Sequence, residues 1–417
     1  MSFHNTHKGR RLSRSLILAI ATILTLGNGL IYMWSIFNVP LMDSFGYSAS
    51  EVALAYSLFM LMSCVGSFIS GWLQKRIQQR YVIMIAGVIF SLGWLLSGFA
   101  SSLPLLYLFF GGFSGIGNGL SYNALLAVAT TWFPDKRGFA NGVLTCGGGM
   151  GPVIFAPLGN LLIESFDVLT AFKIVGIAWL VLYLAFTWFL VMPDPSWVPA
   201  NRAAGTQDPI AVKTGSRDYS GSEIVKQPLF YFLFIILVVA VTSGQMINGH
   251  ASSLGQDLAH LNASEGALMV GLLGIGSVMG RLGFGTLSDK IGRFNTMILI
   301  LILNALVMIG CIGNATSFMP FLICTMIVGA CFGGTMSVMP SIVGDLFGSR
   351  YFGQNWSFIY PGYTIAAFIG PMLAASMSET TGSWHMALMI AGTLSLAGIA
   401  LIIVGKKLAK KTAAEQP

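Results

Sequence analysis

Arg281 stands roughly 17 residues into an apolar run that starts near residue 264, about 25 Å along a helix rising ~1.5 Å per residue. A guanidinium at that depth costs ~2.5–3.5 kcal/mol on membrane-insertion scales, so it needs a partner. No Asp or Glu lies in the middle of any comparable run of the chain. The partner that remains is an anion from outside the chain. Guanidinium holds a carboxylate through two parallel hydrogen bonds, a geometry that lysine does not reproduce. Anchoring of the helix, or snorkelling to the interface, is the alternative reading of the same residue.

Such an anion needs further donors for its second oxygen and a wall for its apolar end. Ser277, one turn before Arg281, is one candidate, although its hydroxyl could bond its own helix backbone instead. Asn28 and Tyr32 in the first apolar run, Tyr122 and Asn123 in the fourth, Phe332 in the tenth, and Tyr360 and Tyr363 in the eleventh are the others. A tyrosine in a membrane helix is more often an interfacial or packing residue, but Tyr122 and Tyr360 sit away from the ends of their runs. His250 and Asp257 are seven apart, on one helical face and ~10.5 Å from each other. Either could titrate if burial tunes it. Both approach the end of their run, and Asp43 occupies the matching place in the first half, so a duplicated cap or gate is the competing reading.

The elements that must position these residues follow from composition. Hydrophobic residues make up 55% of the 417 and charged residues only 9%, too few charges to cover the surface of a soluble protein of this length. Runs of roughly 20 apolar residues cross a ~30 Å hydrocarbon layer as helices, and about twelve can be marked. They extend over 15–39, 50–74, 80–101, 104–131, 138–163, 168–192, 228–255, 264–287, 294–314, 318–345, 352–377 and 384–405. An all-α membrane protein of twelve transmembrane helices is expected.

The connectors give the orientation. Lys8, Arg10, Arg11, Arg14, Lys75, Arg76, Arg80, Lys136 and Arg137 fall on one side in the first half. Arg202, Lys213, Arg217, Lys226, Lys290, Arg293, Arg350, Lys406, Lys407, Lys410 and Lys411 continue the alternation. The positive-inside rule makes that side, and both termini, cytoplasmic. The opposite connectors carry Asp43, Glu51, Glu164, Asp167, Asp257, Glu265 and Glu379, with Lys173 the one basic residue near that face. The basic balance is therefore a topology signal, and a nucleic-acid partner is not expected. The first apolar run reads as a true span and not as a cleavable signal. Cys64, Cys146, Cys311, Cys324 and Cys331 lie within spans without metal-ligand spacing, so no metal and no cofactor is expected. Glycine runs such as Gly147-Gly148-Gly149 lack an adjacent lysine and read as helix packing, not phosphate loops. Gly151-Pro152 and Gly370-Pro371 are expected to bend spans five and eleven.

The chain also repeats itself at an offset of 214 residues. Ala49-Ser50-Glu51 recurs as Ala263-Ser264-Glu265, and the same offset pairs Gly71 with Gly285, Gly115 with Gly329, Gly119 with Gly333, Asn141 with Asn355, Gly148 with Gly362 and Pro157 with Pro371. Two structural duplicates of six helices follow, 1–192 and 228–417, joined by a connector at 193–227 rich in proline and charge. Ser67 matches Arg281 at this offset and is uncharged, so the charge of the site comes from the second half.

Duplicated six-helix halves resemble the major facilitator superfamily over essentially the whole chain. Its signature loop appears as Gly285-Thr-Leu-Ser-Asp289-Lys290-Ile-Gly292-Arg293, whereas the first-half copy from Gly71 to Arg80 lacks the aspartate and the second glycine. The resemblance implies a gating motif that pairs across the seam between the halves. Arg281 four positions before Gly285, the run Arg137-Gly-Phe-Ala-Asn141-Gly142, the glycines before Pro152 and the aromatic span eleven resemble the oxalate/formate antiporter family and the monocarboxylate transporters. That implies a monomeric inner-membrane carrier of small monocarboxylates such as lactate or pyruvate, embedded in the lipid bilayer and working by rocking of the halves, with protons as coupled ions through Asp257 or His250. Anion exchange of the oxalate/formate type is the alternative implication, and a non-transporting carboxylate sensor a third; no constellation of catalytic residues suggests an enzyme. Oxalate-transporting relatives are expected to carry a lysine in span eleven. Phe358 to Phe368 here holds Tyr360, Tyr363 and Thr364 but no basic residue, so a dianion is expected to bind poorly.

Overall fold

In the computed structural model, which describes residues 13–193, 218–381 and 383–414, twelve helical rods build an all-α bundle. They are α1 (14–45), α2 (Ala49–Leu73), α3 (Gln79–Ser97), α4 (Leu103–Trp132), α5 (137–165), α6 (Val168–Phe189), α7 (Pro228–Ala259), α8 (Ala263–Ile291), α9 (Arg293–Asn314), α10 (Phe318–Phe347), α11 (352–381) and α12 (His385–Ala414). Ten are long and apolar enough to cross a membrane on their own, and α5 makes an eleventh as a pair of segments bent by 42°. The twelfth rod is α8, which carries Arg281. The connector residues Arg202, Lys213 and Arg217 and the terminal Lys8, Arg10 and Arg11 lie outside the described residues. The connector ends in a short helix, Gly221–Ile224, closed by a capping box of Ser220 and Glu223.

The 214-residue repeat has a physical content at every level. Ser48 and Glu51 form a capping box at the start of α2, and Asn262 and Glu265 form the same box at the start of α8. Each satisfies two orphan donors of a helix N-terminus, which explains why the Ala-Ser-Glu triplet recurs. The helices then pack by glycine against backbone. A Cβ at Gly66 or Gly119 would strike the carbonyl oxygens of Ile116 or Ser63, and a Cβ at the matching Gly280 or Gly333 would strike those of Ala330 or Ser277. A Cβ at Gly115 would lie 2.7 Å from the Phe59 oxygen, and Gly329 meets Leu273 in the same way. Small residues let α2 approach α4 and α8 approach α10 until backbone meets backbone, which is where packing energy comes from when lipid competes for apolar surface.

Of the two expected bends, the one in span five has its break beside Gly151-Pro152 and the one in span eleven falls elsewhere. The α5 helix is interrupted at Met150 and bends between Arg137–Phe155 and Pro157–Ser165. Pro371 lies inside an unbroken helix, and α11 is instead interrupted at Tyr360, just before Pro361. A proline withdraws the N–H that would bond four residues back, so the break precedes it.

Replacing Gly280 with alanine should push α8 away from α10 and lower the melting temperature of the purified protein by several degrees, an overpacking cost of about 1–3 kcal/mol. Gly283→Ala, where an added Cβ meets nothing within 4 Å, should leave it unchanged. Equal melting of the two variants would refute the backbone-contact account.

Candidate functional site

Ser277 and Arg281 are four residues apart and so share one face of α8. Both are buried, Arg281 to 5% exposure. The guanidinium leaves its own half and donates through Nη1 to the Thr145 carbonyl oxygen of α5. Its Nε has no hydrogen-bond partner, and neither does the Ser277 hydroxyl. Among the described residues no carboxylate lies within ion-pair distance of Arg281. Two unsatisfied polar atoms on one helical face, one of them cationic, are what an anion with several acceptor oxygens would complete.

Glycines shape the space for this side chain. A Cβ at Gly149 would lie 2.8 Å from the guanidinium carbon, and one at Gly333 would lie 3.0 Å from Arg281 Cγ. The glycine run of α5 thus gives the guanidinium its place beside the helix.

The repeat shows why the second half keeps its polar atoms free. In the first half the counterpart of Ser277 is Ser63, whose hydroxyl donates to Phe59 and Gly115 oxygens and accepts from Asn118 at 3.1 Å. The counterpart of Asn118 is Phe332, which cannot return that bond. Phe332 packs instead on Gly244 of α7, where an added Cβ would lie 2.7 Å from its own Cβ. Likewise Ser67, the counterpart of Arg281, accepts from Asn123 at 2.9 Å.

The remaining sequence candidates separate into groups. Asn28 belongs to a network inside the first half: its amide donates to the Asn118 oxygens at 2.9 and 2.8 Å and to Ser121 at 3.2 Å. Tyr183 extends that network through Ser121 at 2.9 Å. Asn123 is a strut between the halves, donating to the Gly353 carbonyl of α11 at 2.9 Å and accepting from Gln74 at 3.1 Å. Tyr122 faces Tyr360 across the seam with ring centroids 6.0 Å apart, and Tyr360 stacks on Tyr363 at 5.5 Å. The tyrosines therefore form a ladder joining α4 to α11. The side chain of Tyr32 lies outside the described residues.

His250 and Asp257 are brought together by a residue the sequence did not flag. The Trp384 indole N–H donates to Asp257 Oδ2 at 2.7 Å, and its ring lies 5.2 Å from the His250 ring. His250 Nε2 is 3.0 Å from the Pro371 carbonyl oxygen of α11. This group ties α7 to α11 and to the residue just before α12, near the acidic end.

At the basic end the segment from Gly285 to Arg293, the last turns of α8 and the start of α9, does cross the seam. Gly285 approaches Gly138 so closely that an added Cβ would lie 2.5 Å from its carbonyl oxygen. Asp289 then accepts from the amides of Gly138 at 3.0 Å and Phe139 at 2.8 Å, the first turn of α5. A carboxylate there satisfies orphan donors and faces the positive end of the helix dipole. Arg293 pairs with Asp289 and with Asp345 of α10, and Arg137 pairs with the same Asp345. Gly292 turns the chain with φ of +91°, a conformation that favours glycine. Lys290 is exposed. Asp345, and Arg137 beyond its topogenic charge, were invisible in the sequence because their pairing spans about 200 residues. Higher up the same seam Asn141 donates to Ser341 at 3.1 Å and Cys146 to the Val278 oxygen at 3.4 Å.

A profile of the Major Facilitator Superfamily matches residues 18–313 and 296–417, and the chain belongs to that superfamily of membrane transporters. Among its relatives, an uncharacterised transporter of the superfamily from Escherichia coli, YhjX, is 28% identical over 353 residues, 84% of each chain. The oxalate:formate antiporter of Oxalobacter formigenes is 26% identical over 93% of this chain and 89% of its own. Human monocarboxylate transporter 12 is 26% identical over 86% of this chain and 73% of its own. In fold the chain resembles the Escherichia coli fucose:proton symporter, with a TM-score of 0.74 at 13% identity over 94% of this chain and 99% of that one.

Gly149→Ala should fold, because the atoms its methyl meets are the mobile end of a side chain, but it should displace the guanidinium from Thr145. The expected result is an unchanged melting temperature with uptake of the transported substrate reduced at least tenfold. Normal uptake by the variant would show that the position of Arg281 against α5 is immaterial.

Proposed function

We propose that the chain is a secondary active carrier of small monocarboxylates of the lactate or pyruvate type, working by alternating rocking of its two halves about Arg281. The observation that supports this reading is the pair of unsatisfied buried atoms, Arg281 Nε and Ser277 Oγ, with no protein carboxylate beside them. A bound carboxylate would accept from the guanidinium in a bidentate geometry and from the serine hydroxyl. The Tyr122, Tyr360 and Tyr363 ladder and Phe332 would form the apolar wall that sizes the remainder of the acid. The names of two related groups, monocarboxylate transporters and an oxalate:formate antiporter, agree with a carboxylate in that place.

The proposed orientation is an inner membrane with the basic end and both termini in the cytoplasm. The Asp289, Arg293, Asp345 and Arg137 cluster then latches the cytoplasmic side shut, and the substrate enters from the opposite side. The carrier functions as a monomer, needs no cofactor, and has no enzymatic role.

Proton symport is the favoured coupling. The Asp257–Trp384–His250 group provides titratable side chains that hold α7 to α11 and α12, so protonation of Asp257 would weaken the indole bond and loosen that end of the second half. Exchange of the oxalate:formate kind is the second reading. It is supported by the Arg281–Thr145 contact, which holds the halves together when no anion is bound.

Arg281→Lys retains the charge but not the planar fork, so uptake of labelled lactate or pyruvate into proteoliposomes should fall by about 100-fold or more while insertion stays normal. Full activity would reduce Arg281 to an anchor or a point charge.

An inward pH gradient should drive accumulation of the labelled acid in vesicles without internal anion, and Asp257→Asn should abolish it. Uptake that ignores pH and requires a preloaded counter-anion would establish exchange.

A further inference from the structure

The two seams at the basic end are related by the repeat, but they are not electrostatically alike. The offset of 214 pairs Lys75 with Asp289 and Arg350 with Lys136. At the α5–α8 seam Asp289 supplies an anion between the halves. At the α2–α11 seam a lysine stands in that place, and the structure has a cavity of about 730 Å³ there.

Cations from both halves line this cavity: Lys75 and Arg80 from the first, Arg350 from the second, with Gln74, Gln78 and Tyr351 between them. No Asp or Glu is among its lining residues. Lys75 Nζ and the Arg350 guanidinium carbon each lie 5.4 Å from the centroid of the same Tyr351 ring. Arg80 Nε is buried without a hydrogen-bond partner. Three like charges therefore face one space, Lys75 and Arg350 against Tyr351 and Arg80 against Tyr81 at 4.8 Å, with no carboxylate among the described residues that line it. The first-half motif retains its close glycine, since a Cβ at Gly71 would lie 2.7 Å from Ser357 Oγ. The aspartate that bridges the other seam has no counterpart here.

We propose that this cavity binds a phosphate-bearing anion, which neutralises Lys75, Arg80 and Arg350 together and bridges the halves as Asp289 does at the other seam. A phosphate group has enough acceptor oxygens to meet two guanidinium groups and an ammonium at once. The cavity lies at the end of the bundle, where either the headgroup of an anionic lipid or a soluble phosphate can reach it. Occupancy stabilises the arrangement closed at the basic end, so it acts on the transport cycle without touching Arg281.

The test uses the full chain in nanodiscs of phosphatidylcholine, followed by its melting temperature. Inorganic phosphate is titrated at constant ionic strength in one arm, and phosphatidylglycerol is incorporated in the other. Lys75→Gln/Arg350→Gln is the neutralised variant. Each half is expected to stay folded in it, because among the described residues neither side chain is in an ion pair. A rise of about 2–5 °C in the wild type that the variant loses supports the site. If phosphate produces the rise the source is soluble, and if phosphatidylglycerol alone produces it the source is the lipid. Accessibility of an engineered cysteine at Ser357, buried at this seam, should fall at least threefold in the same arm. No rise in either arm, or a rise that persists in the variant, overturns the proposal. Persistence in the variant combined with loss in Arg281→Lys would assign the binding to the central site instead.

Discussion

The arrangement depends on one desolvated charge. Arg281 is buried in α8 and, among the described residues, has no carboxylate within ion-pair distance, a placement that a helix in lipid would not tolerate alone. Its neighbours supply what a membrane interior lacks. The Thr145 carbonyl takes one N–H, and the glycines at 149 and 333 leave room for the side chain. These residues come from α5 and α10, so the charge can be accommodated only where the two halves meet. A need created by one side chain thereby becomes a reason for the seam to pack as it does.

The repeat clarifies which polar groups are structural. Wherever the first half has a hydroxyl or an amide in the matching position, its bonds are made within the protein: Ser63 with Asn118, Ser67 with Asn123. The second half replaces Asn118 by Phe332 and Ser67 by Arg281, and unsatisfied atoms result. An unsatisfied buried polar group costs about 1–3 kcal/mol, and retaining two of them on one face argues for a ligand that repays the cost when bound. The two halves thus differ in how their matched polar groups are satisfied.

Much of this architecture was legible in the sequence because it rests on local signals. Apolar runs, capping residues at Ser48 and Asn262, and glycines at matched spacing all act within a helix or between neighbours. Arg281 was legible for the same reason, since a charge in an apolar run stands out whatever surrounds it. Asn28 and Asn123 were not distinguishable from ligand-binding residues, because an amide that reaches a cavity and one that ties helices together have the same composition and spacing. Thr145 contributes a backbone oxygen, which no residue type announces. Asp345 and Trp384 act through partners about 50 to 200 positions away, and their roles exist only once the helices are assembled.

The seam contacts also bear on how an empty carrier can move. Along α5 and α8 the halves are joined in series by the Asp289 carboxylate on the α5 amides, by Cys146 on the Val278 oxygen and by Arg281 on the Thr145 oxygen. Opening the basic end must break all three. The first is an ordinary hydrogen bond that water can replace near the surface, and the second is a weak thiol bond at the depth of Arg281. The third involves a charge at membrane depth, and breaking it without a substitute would strand the guanidinium. An anion that reaches Arg281 provides that substitute, exchanging a bond across the seam for one to a ligand that travels with the second half. In this view the substrate opens the carrier because it binds the charge that otherwise holds the halves together, so a ligand's differential affinity for the open state is written into the contact it displaces.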